Sequence, residues 1–363
     1  MIRLPALVVK NTDQFRQIAE LLQKTILDPE RKTILKNHII YYSVGPLLYC
    51  PANRSTIAQS LIQEKFGRHF SLALCLEDTI NDNFVAEAEQ DLLQSLRTIY
   101  ITHLEKDFFL PKIFIRVRNP EQITALTASL KECAGVVTGF IIPKFSPGNA
   151  EAYLQKVIEV NESSDRKVYV MPIYESSDMI DLRTRYDVLY SLKDSLRPIE
   201  ELVLNIRVGG NDLCNIFGFR RHPDESIHNI NPVSSLFTDI MTVYGTDYVI
   251  SAPVWEYYGG KDWKTGLAAE IQGDKLCGFT GKTVIHPKQI NVVNECYRVS
   301  ASDYNDAKSI LGWDRTSGSF VSGNQSGERM NEYKTHLNWA RRTMYLAEVY
   351  GVQEPDEACA ADE

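Results

Sequence analysis

Short apolar runs rich in β-branched and aromatic residues recur along the chain, separated by stretches with helical apolar spacing or by polar turns. Eight runs stand out: Leu47 to Pro51, Leu72 to Leu76, Ile113 to Val117, Val136 to Pro143, Val168 to Ile173, Leu202 to Val208, Tyr248 to Val254 and Thr283 to His286. Between them the pattern predicts helices over Thr56 to Lys65, Asn83 to Glu105, Pro120 to Glu132, Asn149 to Ile158 and Ser177 to Ser195. Strand and helix alternating in this way predict parallel strands joined by crossover helices, and eight such units close a (β/α)8 TIM barrel. The barrel is expected over residues 46–311. An N-terminal helical extension over 1–45, with a helix from Asp13 to Leu27, precedes it. After the eighth run the chain predicts a helix over Asn291 to Leu311, a Gly/Ser-rich loop from Gly312 to Gly327 and a helix from Met330 to Tyr350, with Met330, Tyr333, Leu337, Ala340, Met344 and Ala347 on one face. The lid loop and this C-terminal helix occupy 312–350, and a loose tail is expected over 351–363.

With 44% hydrophobic and 24% charged residues in 363, the chain can bury a sizeable core. A formal charge of −8 argues against a general nucleic-acid partner but leaves room for a local basic pocket facing an anionic substrate. Seven cysteines, at 50, 75, 133, 214, 277, 296 and 359, form no Cys-x-x-Cys pair and are odd in number, which suits reduced thiols better than disulfides or a zinc site. The run from Leu4 to Val9 is short and contains Pro5, so it makes a poor signal peptide, and no apolar stretch reaches membrane-spanning length. A cytoplasmic protein without a membrane partner is therefore expected.

In a barrel of this kind chemistry sits where the strands end. Charged residues recur there: Arg54, the Glu77-Asp78 pair, Arg116, Lys144, Glu175, Asp212, Glu256 and His286. Carboxylates without nearby Cys or paired His suit a hard, oxygen-preferring cation, Mg2+ with Mn2+ as its alternative. Glu175 and Asp212 follow successive apolar runs and form the best metal pair; helix capping is the competing role for each. Arg116 shares a strand face with Arg118, and it either clamps a substrate carboxylate or oxyanion or pairs with Glu77 or Asp78. Lys144 is either a Schiff-base nucleophile or an electrostatic partner, and nearby carboxylates favour the second. Gly209-Gly210-Asn211-Asp212 lacks a nucleotide-loop context and reads as a tight turn leading into Asp212. Arg220-Arg221-His222 is either a site for an anionic tail or a solvated loop.

These residues resemble the HpcH/HpaI aldolase and citrate lyase β-subunit family. The resemblance runs from Leu48-Tyr49-Cys50-Pro51-Ala52-Asn53-Arg54 through Leu76-Glu77-Asp78, Arg116-Val117-Arg118-Asn119, Ile142-Pro143-Lys144, Tyr174-Glu175 and Gly210-Asn211-Asp212-Leu213. It ends on Gly278-Phe279-Thr280-Gly281-Lys282 with Ile285-His286-Pro287 and Gln289. It implies a metal-dependent carbon-carbon lyase on a (β/α)8 barrel, with Glu175 and Asp212 as metal ligands and Arg116 stabilising the developing oxyanion. It further implies Arg54 near the phosphate of a coenzyme A substrate, Glu77 and Asp78 orienting the arginine and metal water, and a homo-oligomer, a trimer or larger assembly. Where relatives carry an active-site aspartate in the terminal segment this chain has Asn331, an amide that cannot act as a carboxylate base. Asn331 is then expected to bind substrate, and either Glu332 takes the acid-base role, or water or substrate does, or the reaction differs from that of the thioester lyases. The expected reaction makes or breaks a C-C bond through an enolate, on a hydroxyacyl thioester or a small oxo or hydroxy acid. A noncatalytic ligand-binding homologue and a metal-dependent enolpyruvyl or phosphoryl enzyme are the competing readings.

Overall fold

The computed structural model describes residues 38–353; the helix expected over Asp13 to Leu27, the tail beyond Gln353 and Cys359 lie outside the described residues. Within Val44–Cys296 the apolar runs form eight parallel strands: β1 Pro46–Pro51, β2 Ser71–Cys75, β3 Lys112–Arg116, β4 Val137–Ile142, β5 Tyr169–Tyr174, β6 Ile206–Val208, β7 Ile250–Ser251 and β8 Lys282–Val284. They hydrogen-bond in the order β7-β6-β5-β4-β3-β2-β1-β8. A parallel bridge between Ala252 and Lys282 joins the two ends and closes the TIM barrel. The crossovers carry α1 Ile57–Ile62, α2 Val85–Glu105, α3 Glu121–Leu130, α4 Ala150–Glu162, α5 Arg185–Leu196, α6 Gly210–Ile216, α7 Asn231–Tyr244, α8 Trp263–Cys277 and α9 Lys288–Tyr297. The strands are almost wholly buried because helices cover their outer face while side chains fill the interior, which is why they appear in sequence as continuous apolar runs.

Register decides which residues face inward, since residues paired across parallel strands point the same way. Pro51 pairs with Cys75, Cys75 with Arg116, Arg116 with Ile141, Ile141 with Met171, Ile173 with Arg207, Arg207 with Ser251, and Leu47 with Thr283. Tyr174, of opposite parity to Ile173, meets Tyr244 of α7 on the outside, with ring centroids 5.0 Å apart. The face carrying Tyr49, Cys75, Arg116, Ile173, Arg207 and Thr283 is therefore the interior. A 2.6 Å hydrogen bond from Arg207 Nη2 to Thr283 Oγ1 crosses it.

The elements end where local chemistry stops them. β6 begins only at Ile206 because Arg197–Leu202 forms a 3-10 turn with Pro198 in its first turn. The helix expected from Ser177 begins at Arg185, since Ser176 caps a separate 3-10 turn over Ser177–Met179. The expected Asn291 to Leu311 helix divides: α9 ends at Tyr297, Val299 bridges to Val352, and Ser300 caps α10 (Ala301–Leu311) by accepting from Asp303 N–H at 3.1 Å.

The second unit comprises the described residues 38–43 and 297–353. In it the Gly/Ser-rich stretch leads into a hairpin of β9 Val321–Gly323 and β10 Met330–Glu332, followed by α11 Tyr333–Tyr350. The predicted apolar face of α11 is buried at Leu337, Ala340, Met344 and Ala347, and the helix packs on α10. Met330, placed on that face by sequence, is instead an exposed hairpin residue. None of the described helices is long and apolar enough to cross a membrane.

Candidate metal and enolate site

Glu175 follows β5, and Asp212 sits in the first turn of α6, directly after β6. Those strands are neighbours, so the two carboxylates meet side by side at the C-terminal end of the barrel. Glu175 is 5% exposed. Burial pushes its carboxyl up to about 7; the Arg116 guanidinium works against this, and the adjacent Asp212 carboxylate adds to it. Its Oε1 accepts from the Lys144 backbone N–H and from Arg116 Nη2, each at 3.1 Å. Gly209 makes this placement feasible: a Cβ built there would lie 2.0 Å from Glu175 Oε2.

Arg116 is the hub. Its Nη2 lies 2.9 Å from Glu77 Oε2, 3.1 Å from Asp78 Oδ2 and 3.1 Å from Glu175 Oε1. Lys144 Nζ completes the ring, 2.6 Å from Glu77 Oε1 and 2.9 Å from Asp78 Oδ1. Lys144 adopts a left-handed backbone, with φ of 47°, and Asn149 Nδ2 donates to its carbonyl at 2.9 Å. That turn points its N–H at Glu175 and its ammonium at the acidic pair. Partial burial disfavours the Lys144 charge, but hydrogen bonds to Glu77 and Asp78 outweigh it and hold the ammonium well above the ordinary lysine range. A lysine held protonated is no amine nucleophile. Burial and the hydrogen bond to Asp78 raise Glu77; Asp78 overcomes its own burial through hydrogen bonds with Glu77 and Lys144 and falls to about 2.

The site thus gathers four carboxylates against two cations, a deficit that a divalent cation would cancel. Among the described residues no three His, Cys, Asp or Glu side chains form a ready metal cage. A pair of carboxylates, with remaining positions left to water and substrate oxygens, suits magnesium better than zinc or calcium. The residues present fit the implied cation.

Other predicted residues lie elsewhere. Arg118 does not join Arg116; it donates to the carbonyls of Leu76, Glu77 and Ile80 and pairs with Asp82 at 2.5 Å, fixing the loop that carries the acidic pair. Arg54 is exposed, donating to Thr56 Oγ1 at 3.3 Å and lying 6.0 Å from the Phe66 ring centre. His286 stacks on Tyr258 at 4.5 Å, and burial, Lys288 and Arg54 lower its pKa. In the second unit Asn331 is buried in β10, while Glu332 accepts from Thr335 Oγ1 at 2.6 Å. The basic trio divides: Arg220 and His222 are exposed, but Arg221 is buried, 3.3 Å from Glu270 and 5.3 Å from the Trp255 ring centre, so its charge is largely committed to Glu270.

Residues not foreseen from sequence include Tyr49 and Arg207. Tyr49 is the partly open side chain within an otherwise buried stretch of β1. Burial pushes its phenol up to about 12, with Arg207 and Arg116 acting in the opposite direction. Only its parity with Cys75 and Arg116 could have singled it out.

A family model for C-C bond lyases of the TIM-barrel fold matches residues 38–352. The chain belongs to this family. The chain is similar in fold to CitE from Mycobacterium tuberculosis in complex with magnesium, acetoacetate and coenzyme A, at 19% identity and a TM-score of 0.54, covering 85% of this chain and 99% of that one. It is also similar to RipC from Yersinia pestis, at 16% identity and a TM-score of 0.50, covering 72% and 99%. No curated protein matches it. A cleft of about 360 Å³ along α6 is lined by Asn211, Cys214, Asn215, Arg220, Arg221 and Glu256, and not by the residues of the charged site.

Proposed function

We propose that this C-C bond lyase cleaves or forms its bond through an enolate, using a divalent cation held by Glu175 and Asp212, on a hydroxyacyl thioester or a small oxo or hydroxy acid. The observation that carries the reading is the abutment of two carboxylates on adjacent strand ends beside a guanidinium that touches one of them. Magnesium, the preferred cation, would neutralise the carboxylate pair and withdraw electron density from substrate oxygens. Arg116 presents fixed positive charge where negative charge develops on the substrate, and burial strengthens that effect. Glu77, Asp78 and Lys144 hold the guanidinium in place, so little reorganisation is needed as charge moves. The cleft lined by Asn211, the neighbour of Asp212 in sequence, would take the part of the substrate remote from the bond, with Arg220 suited to an anionic group.

Calorimetry with magnesium on the wild type, Glu175→Ala and Asp212→Ala tests the metal assignment, and turnover of oxaloacetate and malyl- and citramalyl-type thioesters tests the reaction. Loss of metal binding in both folded variants is expected, together with loss of turnover. Unchanged affinity in both removes the assignment. We also propose a cytoplasmic homo-oligomer; light scattering that finds only monomer overturns the assembly without touching the site.

A further inference from the structure

Cleavage through an enolate carries a further chemical requirement. When a C-C bond breaks to leave an enolate, the enolate carbon must take up a proton, and Arg116 and Lys144 are bound to carboxylates and stay charged. The interior face of the barrel offers a different group. Tyr49 on β1 shares that face with Cys75 and Arg116 by register. Its neighbours Leu47, Leu48 and Cys50 are buried while its own side chain is partly open. Its hydroxyl has no hydrogen-bond partner among the described residues, so its proton is not committed elsewhere. By parity Arg116 and Arg207 lie on the same interior face, and both guanidiniums act to lower its pKa while Cys75 and the Glu175 carboxylate act to raise it.

We propose that Tyr49 is the proton donor to the enolate carbon in the cleavage direction, with Arg116 and Arg207 holding the phenolate that results. The inference rests on the enolate reading of the site. As the C-C bond breaks, its electron pair becomes the enolate and the substrate hydroxyl becomes a carbonyl, releasing its proton to solvent at the open mouth. The Tyr49 O–H bond then breaks and a C–H bond forms at the enolate carbon. A proton from solvent restores the phenol, so protons balance over the cycle and no oxidant or reductant takes part. An enolate carbon is a far stronger base than a phenolate, so the transfer is downhill. Two cations on the same interior face reduce its cost. In the synthetic direction the phenolate removes the same proton. Among the described residues this gives the barrel its own acid, independent of the amide at Asn331.

The test uses the whole protein with magnesium in D2O and follows deuterium entry into the methyl groups of pyruvate and acetyl-coenzyme A by NMR. Wild type should exchange at least one of these. Tyr49→Phe should exchange it about 10²- to 10⁴-fold more slowly, with kcat falling rather than KM rising, and with magnesium affinity and Tm unchanged. Exchange by Tyr49→Phe within about threefold of wild type overturns the proposal while leaving the enolate reading intact. A wild type that exchanges neither probe overturns both. Should Tyr49→Phe lose Tm, 3-fluorotyrosine at position 49, which keeps the hydroxyl and acidifies it, must move the basic limb of the pH–rate profile to lower pH. An unmoved limb overturns the proposal.

Discussion

Replacing Gly209 by alanine tests the site where sequence and geometry meet most closely. The added Cβ would lie 2.0 Å from Glu175 Oε2, 2.5 Å from Glu175 Cβ and 2.9 Å from its Cδ. Contact with Oε2 alone could be relieved by rotating the side chain, but Glu175 Cβ moves only with the backbone after β5. The carboxylate is 5% exposed and held by Arg116 and the Lys144 N–H, so displacing it breaks those contacts. Overpacking of a well-filled site costs about 1–3 kcal/mol, and a displaced carboxylate loses hydrogen bonds to charged or backbone partners worth about 1–3 kcal/mol each. Gly209→Ala should therefore lower Tm by several degrees and weaken magnesium binding by at least about tenfold, a loss of roughly 1.4 kcal/mol. Scanning calorimetry and magnesium titration measure the two effects. Gly259→Ala, where nothing lies within 4 Å, is the control and should change neither. If Gly209→Ala retains wild-type Tm and metal affinity, Glu175 does not occupy the position described and the metal assignment loses its basis.

The Glu175 carboxyl, pushed up to about 7 in the folded protein from an ordinary 4.5, binds more protons folded than unfolded between those values. Stability of the metal-free protein should therefore fall as pH rises through that window and level off above it. The difference approaches about 3 kcal/mol and should be absent from Glu175→Gln in urea titrations at pH 5 and 8. Lys144, held charged by Glu77 and Asp78, should not be trapped by borohydride in the presence of pyruvate; a reduced adduct on Lys144 by mass spectrometry refutes its electrostatic role. Lys282→Met should cost about 3–5 kcal/mol, read from denaturant midpoints, because it leaves Glu270 and Asp274 buried without the ammonium they share.

The barrel was legible because strands buried on both faces write continuous apolar runs, as in Val136 to Pro143 and Val168 to Ile173. The charged strand ends were legible for a related reason: in an α/β barrel they are where the pattern breaks. The boundaries of β6 and β7 were not, because a 3-10 turn after Pro198 and the pairing of Ala252 as a single bridge are set by tertiary contacts that hydropathy does not carry. Arg207 was hidden for the opposite reason. One arginine within Leu202 to Val208 looks like an interruption of the run until register shows that it faces the interior. Glu270 and Asp274, four apart on α8, share a helix face that nothing in the local pattern marks as buried, yet both are fully buried against Lys282. Gly209 was read as a turn residue, and its clearance of Glu175 is a contact between strands that local sequence cannot state.

The segment from Gly278 to Gln289, on which the family resemblance ends, does not belong to the charged site. Gly278 ends α8 in a left-handed conformation with φ of 93°, and Thr280 N–H donates to Ile250 O at 2.8 Å, setting β8 beside β7. Lys282, with no exposed surface, neutralises Glu270 at 2.9 Å and Asp274 at 2.8 Å, while Arg221 and His228 take the remaining sides of those acids. Gln289 accepts from the N–H groups of Ile285 and His286 and donates to the carbonyls of Trp255 and Tyr257. Each of these contacts ties the last crossover to the strand before it, at the point where the barrel must close. The requirement is dense because a break there exposes paired charges as well as apolar surface, so several consecutive positions are constrained at once. The charged site instead draws one or two residues from each of several separate strand ends, Glu77 and Asp78, Arg116, Lys144, Glu175 and Asp212. Each signal is short, and only closure of the barrel brings them together. Damage to the seam should consequently appear first as lost stability. Damage to a strand end should appear first as lost metal binding or turnover in a protein that remains folded.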